Sequence, residues 1–151
     1  MKRKKIIWRI FGVTAVLAAI FGIYLYREFY RTHKDTLLLK PDFSMAAPDL
    51  VREFEKDETA SNHKYWDKVL KVDGMVKNIV KDDNGFYSVV LGDTASLSSV
   101  RMSMDSIHNL DAATLQKGQR VSLKGICTGF NPDELLGSDV ILVRSVIDQH
   151  K

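Results

Sequence analysis

His108 stands between Asp105 and Asp111, the arrangement in this sequence closest to a histidine–carboxylate pair. A histidine oriented by a carboxylate can serve as a general base, but it needs a nucleophile within reach. Ser96, Ser98, Ser99, Ser103 and Ser106 are scattered, and no G-x-S-x-G elbow presents one of them. The simpler reading is a loop histidine beside acids that cap a helix. His63 has only Asn62 and Lys64 beside it and no second ligand at helical spacing, and the HExxH pattern is absent. It reads as a surface or helix-end histidine. Asp82-Asp83-Asn84-Gly85 resembles the start of a calcium loop but lacks the later acidic ligands. A hairpin turn explains it, because Asn-Gly adopts positive φ readily. Asp133, Glu134 and Asp139 could hold a cation at a long turn, as a minor alternative. Cys127 is the only cysteine, which excludes an intramolecular disulfide and a cysteine-based zinc site. It reads as a small core residue, with a reactive thiol or an intermolecular bridge as the alternatives. No glycine-rich phosphate loop precedes a helix. The expectation is no catalytic residue, no metal, no cofactor, and a protein that is not an enzyme.

The elements around these residues are strands. Val69–Val80 carries Leu70, Val72, Gly74 and Val76 on one parity, the pattern of a strand with one inward face. Phe86–Leu91 follows the Asp82–Gly85 turn. Leu97–Met104 places Val100, Met102 and Met104 inward and Ser99, Arg101 and Ser103 outward. Asp105–Gln116 is a loop ending in a short helix, with Asp111 as its cap and Leu115 as its anchor. Arg120–Phe130 points Val121, Leu123, Gly125 and Cys127 one way and Lys124 and Ile126 the other. After a long turn, Asp139–Asp148 alternates through Val140 and Leu142 and less cleanly through Arg144 and Val146. Five strands, with a helical connection between the third and fourth, predict a mainly β (β+α) five-stranded OB-fold, a partly open Greek-key barrel. A helix over residues 46–67 precedes it. Pro48 suits its first turn, Asp49 complements its positive end, and Leu50, Phe54, Asp57, Ser61 and Tyr65 fall at helical spacing.

OB-folds bind ligands on the face of their second and third strands, between the first-second and fourth-fifth loops. Here that face predicts Phe86, Ser88, Arg101, Ser103, Phe130 and Asp133 as ligand-binding residues. Single-strand binders offer several stacking aromatics, whereas this face offers Phe86, with Phe130 at its rim. Charge points the same way. Residues 1–26 hold five basic residues and no acid, so of 22 basic and 19 acidic residues the remainder has 17 against 19, a net of −2. Nucleic-acid binding usually needs a basic field, so a protein, peptide or glycan partner is favoured over nucleic acid.

The N-terminus divides differently. Met1–Arg9 is a basic tail, and Ile10–Tyr26 has no charged residue. With Ile6–Trp8 it supplies about 20 mostly apolar residues, enough for one transmembrane helix. The expected order is a cytoplasmic tail 1–9, a span 10–27, a juxtamembrane linker 28–45, the helix 46–67 and the barrel 68–151. The positive-inside bias puts the barrel outside the cytoplasmic membrane. A cleaved signal peptide is the rival, but Tyr24-Leu25-Tyr26-Arg27 is no small-x-small site. Leu37–Leu39 reads as a staple onto the domain or the membrane surface.

Leu50, Glu53, Phe54, Asp57, Glu58, Lys64, Tyr65, Lys68-Val69-Leu70, Val72, Gly74 and Val76 form a pattern. Lys124-Gly125-Ile126-Cys127-Thr128-Gly129-Phe130 with Asp133 and Leu136-Gly137-Ser138-Asp139-Val140 continues it. Together they resemble the bacterial tRNA-anticodon-binding-like (tRNA_anti-like) OB-fold family, over about residues 44–148. The resemblance implies an exported protein held by a membrane or lipid anchor, and it does not imply tRNA as the ligand. It also implies cysteines in relatives at the positions of Met102 and Ser145; if they pair there, that pair is lost here.

Overall fold

The computed structural model describes residues 17, 19–25, 35–133 and 135–148. The chain divides into two units, residues 1–34 and 35–151. In the first, Leu17 and residues 19–25 are helical, and their large apolar side chains are exposed. Among the described residues no helix is long and apolar enough to cross a membrane. The tail 1–9, residues 10–16, 18, 26 and 27 of the expected span, and 28–34 of the linker lie outside them.

The second unit is the barrel with its coverings. Its strands are β1 (Phe43–Ala46), β2 (Val69–Lys81), β3 (Tyr87–Leu91), β4 (Ser99–Met104), β5 (Arg120–Asn131) and β6 (Asp139–Ile147). β2 pairs antiparallel with β5 through Val69–Met75 and with β3 through Val76–Lys81. β3 pairs with β4, β4 runs parallel to β6, and β6 pairs back onto β5. Those five strands close the ring and agree with an OB-like barrel. Leu70, Val72, Val76, Val89, Leu91, Val100, Met102, Leu123, Cys127, Val140 and Leu142 fill it, each fully buried. Gly74 belongs to this inward row because a Cβ there would lie 3.1 Å from the Ala47 Cβ and 3.2 Å from the Leu91 Cβ. A side chain there would make Ala47 or Leu91 give way by a few tenths of an ångström.

Several expectations need correction. The linker 28–45 is folded from Asp35 onward. Thr36–Leu38 forms a 3-10 turn, and β1 adds a sixth strand parallel to β2. Two bonds fix its entry: Asp42 N–H donates to the Val69 carbonyl at 2.7 Å, and Val69 N–H donates to Asp42 Oδ2 at 2.9 Å. The helix 46–67 is two helices, α1 (Ala47–Lys56) and α2 (Glu58–Tyr65). Asp57, extended at φ −157° and ψ 94°, ends the first and caps the second by accepting from Ala60 N–H at 2.9 Å. An aspartate at an N-cap outcompetes a place inside a continuous helix. The connection after β4 is the expected helix, in 3-10 form over Asn109–Thr114, and Leu115 is buried as its anchor. Asp111 does not cap it; its carboxylate turns to His108, 3.3 Å from Nδ1.

Two irregularities invert side-chain parity. On β5 the register against β6 shifts between Cys127 and Gly129, so Cys127 faces Leu142 and Phe130 faces Val140. One extra residue sends Phe130 inward. Its ring stacks on Phe54 of α1, with centroids 5.3 Å apart and planes at 23°. Phe54 also meets Tyr65 of α2 at 5.9 Å, so the helices and the end of β5 share one aromatic cluster. On β6, Arg144 takes φ 52°, and the register against β4 shifts between Met102 and Met104. This brings Ser145 into the core, fully buried.

Candidate ligand-binding face

Register places four of the six expected ligand residues on one surface. Val80, Ser88 and Ser103 are successive partners across β2, β3 and β4. Asn78, Val90, Arg101 and Ile141 form the next row across β2, β3, β4 and β6. Direct partners share a face, so Ser88, Arg101 and Ser103 stand together on the outside of the barrel. Phe86, two residues before Ser88, shares their parity and is 46% exposed. The two serine hydroxyls lie 3.2 Å apart.

Arg101 is engaged. Its Nε and Nη2 donate to Asp139 Oδ2 at 3.2 and 3.0 Å, and Ser99 Oγ donates to the other oxygen, Oδ1. The parallel β4–β6 register sets this up, since Ser99 and Asp139 are direct partners. Ser99, expected to face solvent, is buried by this contact.

The other two expected residues serve the fold. Phe130 is packed beneath α1, away from the face. Asp133 shapes the turn after β5 by accepting from the Leu135 and Leu136 N–H groups at 2.9 and 2.8 Å. Those donors, Leu136 first, hold its carboxyl below the ordinary aspartate value. With Asp139 tied to Arg101, the cation reading of Asp133, Glu134 and Asp139 finds no common centre among the described residues, and Glu134 lies outside them. The Asp82–Gly85 segment is the expected hairpin turn. Asp82 Oδ1 accepts from Asn84 and Phe86 N–H, and Gly85 takes the positive φ.

Three clusters join residues that lie far apart in the sequence. First, His108 Nε2 lies 3.0 Å from Asp35 Oδ2, so the histidine sits between Asp35 and Asp111. The hydrogen bond with Asp35 raises the imidazole pKa, and the same bond lowers that of Asp35. Second, Lys124 points outward from β5 as its parity requires, yet its side chain is only 4% exposed. Its Nζ donates to the Leu37 and Leu39 carbonyls at 2.8 and 3.3 Å and lies 3.7 Å from Asp148 Oδ1. Lys71, its direct partner on β2, bonds Asp148 Oδ2 at 2.8 Å, which raises the Lys71 pKa. Asp148 thus separates two opposed cations. The Leu37–Leu39 staple works through backbone carbonyls, with Leu38 left exposed. Third, Glu53 accepts from Tyr65 Oη at 2.7 Å and Lys64 Nζ at 2.9 Å, and both depress its pKa, the tyrosine more. These three help line an open groove of about 600 Å³ beside Phe43, Ser44 and Met45 of β1.

The tRNA_anti-like family matches residues 1–147 of the chain. No curated protein matches it. Among solved structures, a Klebsiella pneumoniae lipoprotein provisionally described as nucleic acid-binding superposes with TM-score 0.52 at 16% identity. That match covers 69% of this chain and 91% of the other. At that identity the likeness concerns the fold. An Entamoeba histolytica asparaginyl-tRNA synthetase gives TM-score 0.38 at 12% identity, over 54% of this chain and 20% of the enzyme.

Proposed function

Because the chain belongs to the tRNA_anti-like family, we propose that it is a non-catalytic OB-fold binding or assembly module. In this reading it is held by residues 10–27 on the outer side of a cytoplasmic membrane and engages a protein, peptide or glycan through Phe86, Ser88, Arg101 and Ser103. The observation that carries the reading is the Arg101–Asp139–Ser99 contact. It neutralises the cation at the centre of the face and leaves hydroxyls, Val80 and one exposed ring. Phosphate recognition relies on cations unpaired by the protein itself, whereas a neutral, partly apolar patch suits a protein or glycan surface. His108 supports the non-catalytic part, since both ring nitrogens lie against carboxylates and neither lies against a serine.

A C-terminal alkaline phosphatase fusion should be active, and a C-terminal fluorescent reporter that matures only in the cytoplasm should be dark. The reverse pair sinks the exported reading. Photocrosslinking from Phe86 and Arg101 in intact cells should capture a protein or glycan. The second reading, nucleic-acid binding, draws on the description of the Klebsiella lipoprotein. It requires the chain to bind single-stranded oligonucleotide or tRNA with an affinity that falls steeply as salt rises.

A further inference from the structure

The strand directions give the barrel two ends. At one lie Asp105 after β4, Asp148 after β6 and the turn ahead of Tyr87. At the other lie the turns on either side of the Ser99–Asp139 pair. Three large apolar side chains stand almost fully in solvent at the first end: Leu38, 83% exposed, Ile107, 78%, and Leu110, 74%. Each lies within three residues of the Asp35–His108 contact, which joins their two segments. Asn109 extends the rim to Phe86 by accepting from Tyr87 N–H and donating to the Gly85 carbonyl. The supports are buried or paired while the leucines and isoleucine are not. Lys124 holds the backbone on either side of Leu38, and Asp105 Oδ1 holds Ile107 N–H. A rim built this way presents apolar groups on a fixed frame.

We propose that this rim seats on the surface of a lipid bilayer, with Leu38, Ile107 and Leu110 entering the headgroup region. The proposal rests on the anchored reading above. The occupant is chosen by where the chain comes from. The uncharged run ends at Tyr26, and only residues 27–34 separate it from Asp35, which lies in the rim. Those eight residues include Arg27, Arg31 and Lys34 against Glu28 alone, side chains that can reach the phosphates of lipid headgroups. Apolar side chains beside a short tether gain burial by entering the interface. The opposite end also exposes Leu97, Leu135 and Leu136, but no tether enters there, and it serves as the internal comparison.

The test uses the 151-residue chain reconstituted in phosphatidylcholine–phosphatidylglycerol vesicles. Cys127 is replaced by alanine, and a single cysteine bearing an environment-sensitive dye is placed at 38, 107, 110 or 135. All four positions are exposed, so the labels leave the core intact. A nitroxide carried near the lipid headgroup should quench most of the emission at 38, 107 and 110 and little at 135. Flotation with the vesicles but no quenching at the first three positions overturns the rim proposal while leaving the anchor in place. Equal or stronger quenching at 135 also overturns it. Failure to float overturns the anchor and the rim together. A blue shift that persists in detergent and grows with protein concentration assigns the rim to a second copy of the chain and overturns the bilayer assignment.

Discussion

Replacing Lys124 by methionine keeps an unbranched apolar stem out to the ε position but deletes the ammonium. Three contacts go with it: the Leu37 carbonyl at 2.8 Å, the Leu39 carbonyl at 3.3 Å and Asp148 at 3.7 Å. A hydrogen bond to a charged group contributes roughly 1.5–3 kcal/mol, and removing one partner of a buried ion pair costs about 3–5 kcal/mol when the other is stranded. Asp148 is not stranded here, because Lys71 stays at 2.8 Å. Loss of the cation opposite Lys71 also relieves a like-charge pair. The expected net cost is therefore the lower part of the sum, about 2–3 kcal/mol. For a unit of this size that lowers Tm by roughly 10 °C. Chemical denaturation of the 151-residue chain reads the global loss. Hydrogen exchange over Asp35–Lys40 reads the local one and should accelerate at Leu38 and Leu39. Lys71→Met should show a smaller loss and leave that segment protected. A Lys124→Met chain within about 0.5 kcal/mol of the parent, a change typical of inert surface sites, with unchanged exchange at 35–40, would refute the idea that this lysine holds the segment.

Gly137 has φ 89°, and a Cβ there would overlap the Leu97 carbonyl group; Gly137→Ala should cost on the order of 2–3 kcal/mol by denaturation. Ser145 Oγ is buried with no hydrogen-bond partner, so Ser145→Ala should raise stability by about 1 kcal/mol, and a loss would mean the hydroxyl is satisfied in solution. The raised His108 pKa adds stability that is complete below the ordinary histidine value and is lost as pH rises through the higher folded value. Asp35, with its lowered pKa, adds stability that is present above the ordinary aspartate value and is lost as pH falls through the lower folded one. The Tm difference between parent and His108→Gln should therefore be largest between about pH 4 and 6.5 and shrink on either side; a flat difference contradicts the contact. Burial raises the Cys127 pKa, so an aromatic disulfide reagent should react slowly with the native chain and rapidly only in denaturant.

Period-two alternation made the barrel legible. Leu70, Val72 and Val76, then Val100 and Met102, then Leu123 and Cys127, each announce a strand with one buried side, and all are buried. The same rule put Phe130 at the rim of the outer face and gave no place to Ser145, because bulges beside Gly129 and Arg144 each add a residue. β1 escaped notice because four residues beside Lys40-Pro41-Asp42 carry too little pattern. Lys124 was assigned its correct direction, but its cover comes from Leu37 and Leu39, 87 and 85 positions away. The shared face of Phe86, Ser88, Arg101 and Ser103 was legible from alternation. The neutralising Asp139 was not, because it depends on the parallel β4–β6 register. Met102 and Ser145, the positions implied as a cysteine pair in relatives, both border Gly125. A Cβ there would lie 3.3 Å from Met102 Cε and 2.5 Å from Ser145 Oγ.

The entry of the chain into the barrel also has a mechanical meaning. Tension on the backbone ahead of Asp35 meets the His108 contact first, then the Lys124 grip on Leu37 and Leu39, then the paired bonds between Asp42 and Val69. Beyond them lies β1, parallel to β2, so force along the strand loads its bonds together in shear. The receiving strands, β2 and β5, pair with each other over seven residues. A tug from the N-terminal side is therefore met by β2 and its pairing with β5 before it reaches α1.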